Sequence, residues 1–203
     1  MNYCVISGSH QKQAQSLKIA NFINLWIKEH KKNANCDVIA LSENPLPLWD
    51  ESFWSNDPKW EKTWKPYSQK LQNAQAIIVI SPEWAGMVPA GLKNFFLFCN
   101  KGELAHKPGL IVSVSAGTGG AYPVNELRTS SYKNSYLNYI PDHLIIRKVG
   151  SVFNQFGKTE NEDDAYLQKR LAYSINMLEQ YALAMNTVRG SGVMNLKDYP
   201  FGM

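Results

Sequence analysis

Three short segments of the chain concentrate the residue types that hold ligands. The first reads SGSHQKQAQS, from Ser7 to Ser16, and joins a strand-like run to a helical one. Gly8 permits a tight turn there, and the amides and hydroxyls that follow, Ser9 and Ser16 among them, face a helix N-terminus. Free N–H groups beside the positive end of a helix dipole make a phosphate site. The same residues also fit a polar turn with Ser16 as N-cap. The segment is neither GxGxxG nor a Walker loop. The second segment reads SPEWAGMVPAGLKNFF, from Ser81 to Phe96. Pro82 and Pro89 stiffen it, Gly86 lets backbone come close to a flat ligand, and Trp84 offers a ring face. A shaped loop with Trp84 buried beneath it is the alternative. The third reads SVSAGTGGAY, from Ser113 to Tyr122, where Gly117, Gly119 and Gly120 allow close backbone approach or merely a flexible turn.

No side-chain set for catalysis accompanies these loops. There is no Ser-His-Asp or paired-carboxylate constellation, so no catalytic residue is assigned. The four histidines show no metal-ligand spacing, and no metal site is expected. Cys4, Cys36 and Cys99 are odd in number, far apart and set in or beside apolar runs, which reads as buried free thiols.

The loops need elements to position them. Tyr3 to Ile6, Val38 to Leu41, Ala76 to Ile80, Leu110 to Val114 and His143 to Val149 read as strands rich in Val and Ile. The third and fourth are apolar throughout, as central parallel strands covered on both faces must be. Helical patterns fall at Ser16 to Lys31, Leu92 to Cys99, Val124 to Asn134 and Asp163 to Thr187. Five strands alternating with helices predict an α/β fold, a doubly wound five-stranded parallel sheet in the order 2-1-3-4-5. In such a sheet ligands sit beyond the carboxyl ends of the strands, where all three loops fall. At 203 residues, with no linker or repeat, residues 1–203 form a single domain.

A hydrophobic share of 44% against 19% charged residues is a globular balance, and the net charge of +4 is scattered. That excludes a nucleic-acid face. No apolar stretch is long enough to span a bilayer. The N-terminus enters a strand directly, without a signal peptide, so a cytoplasmic protein is expected.

Together, in order and spacing, the three loops resemble the NADPH-dependent FMN reductase family of flavodoxin-like proteins, which includes azo, quinone and chromate reductases. The family's GS-x-R loop appears as Gly8-Ser9. Its TPEY-x-G-x-(I/V)P-G-x-LKN loop appears as Pro82-Glu83-Trp84 with Gly86, Pro89, Leu92, Lys93 and Asn94. Its Gly-rich loop appears as Ser115 to Gly120. The resemblance spans roughly residues 2 to 150. It implies FMN as cofactor, NADPH or NADH as donor, a quinone, azo compound or free flavin as acceptor, and a homodimer or homotetramer. By position, Ser9, Gln11, Ser16 and Leu17 would hold the phosphate. Pro82, Glu83, Trp84, Ala85 and Gly86 would line the ring and ribityl chain, and Ser115, Ala116, Gly117, Thr118, Gly119 and Gly120 would close over the ring's other edge. The chain departs from the pattern at Gln11, where the family has its phosphate-binding arginine, and at Ala14, Trp84 and Ala85, where it has serine, tyrosine and asparagine. A flavin-free or weakly binding interaction module is the alternative. It draws on the altered phosphate loop and on the segment Asn44 to Lys65, a long loop with Trp49, Trp54, Trp60 and Trp64. That segment could be a lid, a subunit contact or packing over the sheet edge; Trp60 and Trp64, four apart, could share one short helix that presents both to a partner, though packing against the protein's own surface is the expected outcome.

Overall fold

The computed structural model describes residues 1–55 and 57–200; Asn56, within the tryptophan-rich segment, and the last three residues of the expected domain lie outside it. Five parallel strands, β1 (Asn2–Ser7), β2 (Asn35–Ala40), β3 (Ala76–Pro82), β4 (Pro108–Val114) and β5 (Asn138–Ile146), lie in the order β2-β1-β3-β4-β5, as the alternation predicts. The helices are α1 (Gln15–His30), α2 (Lys59–Asn73), α3 (Ala90–Phe98), α4 (Ala121–Thr129) and α5 (Glu162–Gly190). Successive side chains of a strand point to opposite faces, so each central strand feeds two cores. On one face Val5, Ile78, Ile80 and Val112 meet Ile19 and Ile23 of α1 and Leu171 and Ile175 of α5. On the other, Ile6, Ile77, Val79 and Ile111 meet α2, α3 and α4 through Trp64, Phe95 and Leu127. Every residue of β3 and β4 is buried, which explains their unbroken apolar runs. Among the described residues no helix is long and apolar enough to cross a membrane.

Three local readings need correction. The expected loop from Asn44 to Lys65 holds a 3-10 turn at Glu51–Phe53 and most of the first half of α2, whose Pro66 disguises the helical pattern. Trp60 and Trp64 are 5% and 4% exposed, so this aromatic pair lies in the protein's own core against Phe53, Phe95 and Phe98. Their indole N–H groups donate to Ser52 Oγ at 2.9 Å and Glu103 Oε1 at 3.0 Å, so the polar tips are satisfied. The fifth strand starts at Asn138 rather than His143. Pro141 lies within the strand, and an edge strand tolerates a residue with no N–H to give. Finally, α4 runs from Ala121 to Thr129, not to Asn134. The hydroxyls of Ser130 and Ser131 fold back onto the carbonyls of Glu126 and Leu127 and close its last turn.

Candidate functional site

Because all five strands are parallel, the loops after β1, β3 and β4 emerge at one end, and the backbone ties each to its neighbour. The Gly8 N–H donates to Ile80 O at 2.9 Å, Glu83 N–H to Val114 O at 2.9 Å, and Ser115 N–H to Ile146 O at 2.8 Å. Gly8 is required: a Cβ there would lie 2.8 Å from the Ile80 carbonyl and 2.6 Å from Leu92.

The first loop ends in an open helix terminus. Ala14, not Ser16, is the N-cap of α1, with no side-chain cap and no acid in the first turn. Ser16 is the second residue of the helix, buried, its hydroxyl bonded to that of Ser7 at 2.9 Å. Leu17 packs against the core between α1 and α5. Ser9 is buried and accepts the Gln11 N–H at 3.2 Å, while the Gln11 side chain is exposed. Among the described residues, the N–H groups of Ser9, His10, Lys12, Gln13, Gln15 and Ser16 find no protein acceptor. Uncapped amides at a helix start fit a phosphate group. The nearby cation Lys18 is committed elsewhere, to Val149 O, Val152 O and Asn154 Oδ1.

The second loop is a two-residue hairpin. Trp84 and Met87 exchange backbone bonds of 3.1 and 2.9 Å around Ala85 and Gly86, whose φ values are +49° and +71°. Pro82 is buried as the last residue of β3, and half-buried Trp84 places its ring edge-on to His10, with centroids 4.7 Å apart. His10 in turn fills the room left by Gly91, where an added Cβ would lie 2.9 Å from its Nδ1. The first loop and the hairpin thus meet at a contact that the sequence did not single out. The Lys-Asn ending anchors the hairpin from behind. Lys93 pairs with Glu126, and Glu126 also accepts the Val88 N–H at 2.7 Å. Burial pushes the Glu126 carboxyl up, but these bonds outweigh it and hold its pKa below the ordinary value. Asn94 clamps the chain at Pro47 O and Trp49 N–H, both at 2.8 Å.

The Glu83 carboxylate is turned away from the hairpin tip. It accepts the Gly120 N–H at 2.7 Å and the Tyr122 N–H at 3.3 Å, capping α4 and binding the second loop to the third. Gly119 packs against that carboxylate, and Gly120, at φ +104°, lies so near Ile145 that a Cβ would come within 2.6 Å of it. The Ser115 hydroxyl accepts the Gly117 N–H, whereas Ala116, Gly117 and Thr118 are exposed. Tyr122, 65% exposed, stands beside Gly86, its ring 3.9 Å from where a Cβ on that glycine would lie. No spacing rule could have found His10 or Tyr122, because their neighbours come from other loops.

The fold and the site define a doubly wound α/β protein with an uncapped helix terminus beside a hairpin and a glycine-rich loop. The particular family follows from comparison. Residues 1–149 match the NADPH-dependent FMN reductase family, and the chain belongs to it. It is an oxidoreductase of the NAD(P)H and FMN type. Among curated proteins it is similar to a quinone reductase of Pseudomonas putida, 24% identical over 170 residues, covering 81% of this chain and 87% of the relative. It is also similar to an NADPH azoreductase of a Bacillus species, 23% identical over 147 residues, covering 72% and 76%. Among solved structures, the flavoenzyme NAD(P)H:(acceptor) oxidoreductase FerB of Paracoccus denitrificans shares the fold. Its TM-score is 0.66 at 17% identity, over 89% of this chain and 98% of that one.

Proposed function

We propose that the chain binds FMN with its phosphate on the amides at the start of α1 and its ring between the hairpin at residues 82–86 and the loop at 115–120. There it passes electrons from NAD(P)H to a quinone, an azo compound or free flavin. Bound FMN supplies the two-electron chemistry that no side chain of the site can perform. The protein's part is to hold and orient. Ser9, by accepting the Gln11 N–H, shapes the phosphate loop, and the His10–Trp84 contact sets the hairpin against it. Glu83 fixes the distance between hairpin and glycine-rich loop through its two amide bonds. The observation that carries the reading is the uncapped start of α1, with its row of amides lacking any protein acceptor, directly beside the family's hairpin.

The interaction-module alternative loses ground, since Trp60 and Trp64 are core residues and present nothing to a partner. We place the protein in the cytoplasm as a homodimer or homotetramer. Without the family's arginine at position 11, FMN is held less firmly, and the purified protein emerges partly or wholly apo. The test is NADPH oxidation with a quinone acceptor across a range of added FMN, against free FMN and NADPH as blank. Saturable, enzyme-dependent turnover is the expected result; turnover equal to the blank at saturating FMN overturns the reading.

A further inference from the structure

A second anion-binding arrangement lies at the end of β5. Arg147, the first residue beyond that strand, donates its Nε–H to Thr118 O at 2.7 Å and Gly119 O at 3.0 Å. Both terminal amino groups of its guanidinium are without an acceptor among the described residues. Lys148 follows in the left-handed region at φ +46°, its N–H on Gly117 O at 2.9 Å and its side chain exposed. In the same loop the N–H groups of Ala116, Thr118 and Gly119 also lack protein acceptors among the described residues. A Cβ added at Gly117 would meet nothing within 4 Å, so the space beside the loop is open. The carboxylate packed on this loop, Glu83, already has its charge met by two amides at the start of α4.

A guanidinium steadied through Nε presents its remaining N–H groups as a planar fork, and a fork of that kind matches phosphate oxygens. FMN carries a single phosphate, and the α1 terminus that suits it follows β1. Three inter-strand steps separate β1 from β5, roughly 14 Å at the usual spacing. One phosphate cannot serve both places, so the second belongs to another molecule that visits the same end of the sheet.

We propose that the Arg147 guanidinium and the Lys148 ammonium, on the outer side of the loop that borders the flavin ring, bind the 2′-phosphate of the dinucleotide donor and so select NADPH over NADH. The proposal rests on the reductase reading above. Its test is calorimetric titration of the FMN-saturated protein with 2′,5′-ADP and with 5′-AMP, which lacks the 2′-phosphate. At low salt 2′,5′-ADP binds about tenfold more tightly, and the advantage shrinks as ionic strength rises. Arg147→Gln and Lys148→Gln each remove most of that advantage and leave 5′-AMP binding unchanged. Lys148→Gln disturbs no side-chain bond of the loop, so it separates charge from loop anchoring and leaves the FMN Kd unaltered. Equal binding of the two nucleotides by the unaltered protein overturns the proposal, as does a variant that weakens both alike. A protein that binds 2′,5′-ADP selectively but shows no FMN-dependent turnover overturns the reductase reading and leaves the phosphate site standing.

Discussion

Gln11 lies in the loop that feeds α1, exposed, with only its backbone N–H engaged by Ser9. Its carboxamide carries no charge, so a phosphate there relies on amides and the helix dipole. We expect Gln11→Arg to tighten FMN about tenfold or more, a charge-assisted contact being worth roughly 1.5–3 kcal/mol. Fluorescence quenching of FMN titrated into both proteins measures it, and an unchanged Kd counts against phosphate at this loop. Ala85 carries the opposite lesson. Its φ of +49° suits the first position of a type I′ turn, where a Cβ is strained and asparagine is tolerated. Ala85→Asn is therefore expected to raise stability by about 0.5–1 kcal/mol. Urea unfolding with FMN absent reads this directly; a lower midpoint at unchanged slope refutes it.

At the scale of elements, α2 is the helix that sequence periodicity missed, and its far end holds an unusual charge. Lys107 is buried, and its ammonium donates to Leu71 O at 2.6 Å and Gln72 O at 2.9 Å, tying off the last turn of α2. Burial first, and then the nearby Arg189, pulls its pKa down to about 8. A group whose folded pKa is depressed below its unfolded value binds fewer protons in the folded state across the interval between them. Its contribution is complete above the unfolded pKa, near 10.4, and is lost as pH falls through about 8. Stability of the natural protein relative to Lys107→Met should therefore rise between these limits, by roughly 3 kcal/mol at most. Burial raises the pKa of the Cys4 and Cys99 thiols, which acts in the opposite direction over alkaline pH. Only the difference between the two proteins isolates the lysine. Denaturant unfolding of both at pH 7.5, 9 and 10.5 (roughly spanning that interval) supplies it, and a flat difference defeats the assignment.

At the scale of the whole molecule, the tryptophan-rich segment divides between core and surface. Trp60 and Trp64 are buried, but Leu48 and Trp54 are 80% and 62% exposed, and Leu97 on α3 is 55% exposed. Trp49, Trp54, Phe96 and Leu97 line one largely apolar cavity beside the loop that Asn94 holds. Apolar surface of that kind favours burial against a second copy. We expect light scattering to report at least a homodimer at micromolar concentration, and the double variant Trp54→Arg/Leu97→Asp to shift it toward monomer. A stable monomer before substitution removes the idea.

The sequence by itself determined the strand order, the one end of the sheet at which the three loops meet, and the family. Those follow from short-range patterns: apolar runs in β3 and β4 that only a doubly covered strand tolerates, and glycine and proline spacings that only certain turns permit. The sequence placed Ser16, Leu17 and Glu83 in the site but could not say where their side chains point. Ser16 bonds to Ser7, Leu17 packs in the core, and Glu83 caps α4. Nor could it pair His10 with Trp84 and Gly91, or bring Arg147 to Thr118 and Gly119 across an interval of nearly thirty residues. Such contacts are decided by which loops the parallel sheet delivers to the same end, and a side chain there takes the nearest unmet partner whatever its distance along the chain. The tryptophans show the same limit. Only the tertiary structure decided that Trp60 and Trp64 fill the space between α2 and α3, because burial depends on what lies opposite.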